Sequence, residues 1–150
     1  MVRQARSEAT RQTILSAAAD VFSRIGYATA TMRDIVAGSK LTKGAFYYHF
    51  DSKESVASAI MEQTSAKLLR GFRTAARPDE RALQRTIDGL VAVAEIVATD
   101  NLARTGALLI QTLGDSNTVA SRVHDDWIDA IAGQAELASC EGDLRRDIEP

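Results

Sequence analysis

The side chains best suited to chemistry are few, and they are poorly matched for catalysis. His49 and His124 stand 75 positions apart, and neither has a cysteine pair or a carboxylate near it at metal-ligand spacing. No nucleophile motif accompanies them. The lone Cys140 cannot close an intrachain disulfide and reads as a small, partly buried residue at a helix end. This inventory argues against an enzyme, and it calls for neither a metal nor a cofactor.

Residues 42–53, TKGAFYYHFDSK, suggest a different chemistry. A short helix entering the major groove of DNA needs small residues where backbone meets base edges, and flanking donors for phosphates. Thr42 can cap such a helix while its hydroxyl faces a phosphate. Lys43 is a flexible cation, and Gly44 beside it permits close backbone approach. Tyr47, Tyr48 and His49 add three polar tips, and Lys53 puts a cation at the start of the next helix. Taken singly, the tyrosines could equally be half-buried packing residues and the lysines merely solvated.

The elements that must position this segment follow from spacing and caps. Ser7 is placed to cap a first helix with Ile14, Ala18, Val21, Phe22 and Ile25 at helical spacing, stopped by Gly26. Thr31 and Asp34 form a capping box for a two-turn helix burying Met32, Ile35 and Val36. After Gly38, Ser39, Lys40 and Leu41, Thr42 opens a helix bearing Phe46 and ending near Phe50. The pair has helix-turn-helix spacing. Asp51 and Glu54 read as the cap of a long fourth helix with Val56, Ile60, Thr64, Leu68 and Phe72 in one stripe.

After a connection at Ala75 to Arg77, Pro78 suits the first turn of a fifth helix carrying Leu83, Ile87, Leu90, Val91, Ala94 and Val97. A sixth helix spans about Leu102 to Leu113 and stops at Gly114. A seventh spans about Asn117 to Ser139, with Val119, Val123, Trp127, Ile131 and Ala135 spaced by four. The expected fold is therefore all-α: a three-helix head over residues 1–50, linked by the fourth helix to a helical region over 51–150.

Composition agrees with this picture. The 150 residues are 45% hydrophobic and 25% charged, with two prolines and few aromatics, which favours helix over strand. No apolar run is long enough to span a bilayer or form a signal peptide, so the cytoplasm is the expected compartment. The net charge of −2 hides an asymmetry. Residues 1–53 hold eight Lys or Arg against four Asp or Glu, whereas 54–150 hold ten against sixteen. A phosphate-binding surface needs such an N-terminal surplus.

Gly26-Tyr27, Thr31, Ile35, Thr42-Lys43-Gly44, Tyr47-Tyr48-His49-Phe50 and Ser52-Lys53-Glu54 together resemble the TetR-family DNA-binding domain. The resemblance implies that the third helix enters the major groove. It assigns Lys43 and Gly44 to base contacts, and Thr31, Thr42, Tyr47, Tyr48, His49 and Lys53 to phosphate contacts. Ile14, Phe22, Ile35, Leu41, Phe46 and Phe50 match the family's core. Lys40 departs from the pattern, which has Gly in that turn. A left-handed backbone there would cost a side chain roughly 1 kcal/mol.

The resemblance also implies a helical region that binds a small apolar effector, with Leu90, Val93, Val97, Leu109, Leu113, Trp127 and Ile131 as candidate lining. Trp127 stands out for its broad apolar face and single donor. The stretch RQARSEATRQTILSAAADVFSRIGY, the TKGAFYYHF segment and Trp127 are similar to the γ-butyrolactone autoregulator receptors within the family. The expected function is a ligand-responsive repressor, a homodimer on a palindromic operator of double-stranded DNA. Family members usually continue beyond GDLRRDIEP with two further helices that pair two copies, so the chain reads as C-terminally shortened and its dimerisation as weakened or altered. The alternative is a shortened member acting as an interaction or ligand-binding protein without regulating DNA alone.

Overall fold

A computed structural model describes residues 2–75, 77 and 79–144. Among these the chain forms seven α-helices and no strand: α1 (Val2–Ile25), α2 (Met32–Ser39), α3 (Lys43–Tyr47), α4 (Lys53–Ala75), α5 (Ala82–Thr99), α6 (Asn101–Leu113) and α7 (Thr118–Cys140). A 3-10 turn at Gly114–Ser116 joins the last two. The all-α expectation holds, and no described helix is long and apolar enough to cross a membrane.

Several boundaries follow from local chemistry. Gly26 ends α1 at φ +80°, a left-handed conformation in which a Cβ is strained. Asp100 caps α6 by accepting the Ala103 N–H at 3.0 Å, and Asn117 caps α7 through Val119 and Ala120.

Other boundaries move. Helix α1 already begins at Val2, so Ser7 lies inside it and caps nothing. The start of α4 is secured by a reciprocal pair, not by Asp51 and Glu54. The Ser55 N–H donates to Ser52 Oγ at 3.0 Å and the Ser52 N–H to Ser55 Oγ at 3.3 Å. Helix α5 starts at Ala82, later than expected; Pro78 lies outside the described residues. Its first turn is capped from a distance: the Ala82 N–H donates to the Glu141 carboxylate at 2.7 Å, and Arg81 pairs with Asp143 at 2.6 Å. Cys140 is exposed rather than partly buried.

Helix α4 is the axis of the molecule, packed against α1, α5, α6 and α7. The stripe Val56, Ile60, Thr64, Leu68 and Phe72 is buried, and so are Ala57, Ala59, Met61 and Ser65 beside it. The core of α1 to α3 is completed by this helix, because Ile14, Leu15, Ile35 and Phe46 share one cluster with Val56, Ile60 and Met61. Leu109 of α6 and Ala120 of α7 reach the same cluster.

Small residues let the helices approach closely. A Cβ on Gly106 of α6 would lie 2.0 Å from Thr64 Oγ1, and one on Gly89 of α5 would lie 2.8 Å from the Phe72 carbonyl. Neither position has room for a side chain.

Candidate nucleic-acid interface

The turn from α2 to α3 is built from the preceding cap onward. The Thr31 hydroxyl accepts the Asp34 N–H at 3.3 Å, and the Asp34 carboxylate accepts the Thr31 N–H at 2.9 Å and its hydroxyl at 2.6 Å. These bonds, the hydroxyl's first, hold the Asp34 carboxyl below its ordinary range. Lys40 then adopts φ 57°, ψ 17°, the left-handed conformation in which a side chain is strained. Ser39 steadies it from a buried position: its hydroxyl donates to the Val36 carbonyl at 2.8 Å and accepts the Leu41 N–H at 3.3 Å. Sequence reading passed over Ser39, although a hydroxyl in the last turn of a helix is a known source of such local bonds.

Thr42 caps α3 by accepting the Ala45 N–H at 3.2 Å, which leaves its own proton free to be donated outward. Phe46 is fully buried and anchors the short helix, with Phe50 buried behind it. The opposite face is open. Lys43 and Gly44 are exposed, and a Cβ on Gly44 would meet nothing within 4 Å. Tyr47 is 51% and Tyr48 82% exposed, a degree of exposure unusual for such large rings. His49 is partly buried, its ring edge-on to Tyr48 at 5.2 Å. Thr31, Thr42, Lys43, Gly44, Tyr47 and Tyr48 are thus all exposed on one helix-turn-helix.

Lys53 is placed differently from the other cation. Its ammonium donates to the carbonyls of Tyr27 at 2.8 Å, Ala30 at 2.9 Å and Ala28 at 3.4 Å, and lies 4.5 Å from the centre of the Tyr27 ring. The Tyr27 hydroxyl in turn donates to Glu54 at 3.4 Å. Burial first, and the Glu54 charge second, push the Tyr27 phenol upward. Lys53 therefore pins the α1–α2 loop to the start of α4. Nothing in the sequence around Lys53 signals this, because its partners lie 23 to 26 residues away.

The seven residues named as effector lining fall in three places. Leu109 and Leu113 line a groove between α1 and α6. Trp127 and Ile131 line a furrow along α7 together with His124, Ile128 and Ala135, and the indole packs edge-on to Phe72 at 5.7 Å. Leu90, Val93 and Val97 lie on α5, with Leu90 46% exposed.

A short, firmly anchored helix with an open polar face, held by a cap-and-turn on a helical body, makes up a helix-turn-helix. The chain belongs to the TetR family of bacterial regulatory proteins, whose N-terminal domain model matches residues 14–60. It is 35% identical over all 150 residues to the A-factor receptor protein of Streptomyces griseus, of which it spans 51%. A solved γ-butyrolactone receptor described as ArpA-like superposes with a TM-score of 0.84 at 31% identity, over 96% of this chain and 75% of that one. CprB of Streptomyces coelicolor, solved in complex with its biological operator sequence, superposes with a TM-score of 0.80 at 30% identity, over 96% of this chain and 72% of that one. The chain thus covers about half the length of the A-factor receptor.

Proposed function

We propose that this chain is a transcriptional repressor that reads a palindromic operator through α3 and releases it when a small apolar effector binds the helical body. The observation that carries this reading is the outward face of α3, where Lys43, Gly44, Tyr47 and Tyr48 stand clear while Phe46 fixes the helix from beneath. Lys43 and the Gly44 backbone reach base edges, and Thr31, Thr42, Tyr47, Tyr48 and His49 reach phosphates. Residues 1–50 form the reading unit and 51–150 the responding one. Two copies read two half-sites one helical turn apart or a multiple of it. The likeness to a γ-butyrolactone receptor supports a lactone as effector, with Leu90, Val93, Val97, Leu109, Leu113, Trp127 and Ile131 as its candidate contacts.

A gel-shift titration on genomically selected fragments tests this reading. Lys43→Ala should lower affinity and relax sequence preference, by about 1–3 kcal/mol if its contact is a good one. Lys53→Ala should weaken all sequences alike by freeing the α1–α2 loop that Lys53 pins, and for the same reason it should lower the melting temperature, which Lys43→Ala should not. Addition of a γ-butyrolactone should release the DNA and quench Trp127 emission. DNA binding unaffected by Lys43→Ala would remove α3 as the reading helix, and retention of DNA at saturating lactone would remove the lactone alone.

A further inference from the structure

An apolar cavity lies where the head meets the body, away from the α5 and α7 surfaces. It has a volume of about 570 Å³ and is lined chiefly by Phe22, Tyr27, Leu108, Leu109, Thr112 and Leu113. Two contacts join α1 to α6 beside it: Asn101 donates to the Asp20 carboxylate at 2.8 Å, and the buried Thr105 hydroxyl donates to the Ala19 carbonyl at 3.4 Å. Beyond them α1, the loop at Gly26–Ala28 and α6 form three walls. The volume lies within the range of small-molecule sites, roughly 300–1,000 Å³.

The lining specifies a chemistry. It contains no charged residue, so an ionised ligand would lose its hydration with nothing to replace it. Its hydroxyls have already committed their protons: Ser23 donates to the Asp20 carbonyl at 3.1 Å, Thr112 to the Leu108 carbonyl at 2.7 Å, Thr105 to the Ala19 carbonyl at 3.4 Å and Tyr27 to the Glu54 carboxylate at 3.4 Å. Each can therefore take part in a further hydrogen bond only as an acceptor. We propose that this groove is a binding site for a neutral, largely apolar molecule carrying one hydrogen-bond donor, such as an apolar alcohol. An occupant touches α1, α6 and the loop whose carbonyls hold Lys53, so it bears on the joint between head and body. The site needs no DNA and does not rest on the repressor reading.

The test is direct binding of 2-naphthol to the whole chain, followed by the anisotropy of its own fluorescence, with 2-naphthoate as a charged match of the same size. Naphthol should bind at least tenfold more tightly than naphthoate. Leu108→Glu and Thr112→Trp alter exposed positions of the lining, and each should weaken naphthol at least tenfold in protein that melts as the parent does. Ile128→Glu, in the α7 furrow, should leave it unchanged. The proposal is overturned if naphthol does not bind, if naphthoate binds as well, if binding survives both groove substitutions, or if only Ile128→Glu removes it.

Discussion

Helix α4 and helix α7 carry the same pattern of apolar residues and meet opposite fates. In α4, positions 56, 60, 64, 68 and 72 are all buried. In α7 the matching run of Val119, Val123, Trp127, Ile131 and Ala135 is buried only at Val123, and Ile131 is 43% exposed. A four-residue step advances about 400° around a helix, so over four steps such a stripe drifts by about 160°. Helix α4 has neighbours on several sides and can bury a drifting stripe. Helix α7 is covered on one side by α4, α5 and α6, and its buried residues keep to a narrower face, Ala120, Val123 and Ala138. Periodicity says which residues can be buried; the number of neighbours says which ones are.

The same contrast separates the head from α5. Phe46, Ile14 and Ile35 are fully buried, whereas Leu90 and Val91 are half exposed. The largest expected effect that would break this comparison is therefore Phe46→Ala, which should cost about 3–5 kcal/mol in urea unfolding, against less than about 0.5 kcal/mol for Val91→Ala. Equal costs would mean that the α5 face is covered in solution. Next comes Gly106→Ala, where the added methyl meets Thr64 from Cβ to Oγ1. It should destabilise by about 1–3 kcal/mol, read as a lowered thermal midpoint.

A smaller effect of opposite sign belongs to the head. Lys40→Gly relieves the strain of a left-handed residue and should raise stability by about 0.5–1 kcal/mol, unless Ser39 fails to hold the turn once the side chain is gone. The smallest effect is electrostatic. The Asp100 carboxyl is held low, first by its bond from Lys67, as the Asp34 carboxyl is by Thr31. For a lowered carboxyl the stabilisation is complete above the unfolded value, about 3.9, and is lost as pH falls through the lower folded value. Stability should thus decline below about pH 4, and Lys67→Met should flatten the part of that decline that depends on salt, because the pair is partly exposed.

The head was legible because its signals are local. The Thr31–Asp34 box, the Gly26 stop and the Thr42 cap all act within a few residues, and each is found where spacing puts it. The resemblance named Ile14, Phe22, Ile35, Phe46 and Phe50 as core, and all are buried, with Leu41 packed partly against them. The start of α4 was misread for a local reason, since Ser52 and Ser55 offered a pair as well spaced as Asp51 and Glu54 and closed it.

What the sequence by itself determined is the set of helices, the caps of α2 and α3 and the residue types on the α3 face. Those depend on contacts within one or two turns, where residue type and spacing leave few alternatives. Tertiary structure alone decided which apolar stripes are covered, that Glu141 closes the start of α5, that Lys53 grips the carbonyls of the α1–α2 loop, and that α1 and α6 enclose a groove. Each of those joins groups far apart in the chain, and a pattern read along one helix carries no information about what packs on it.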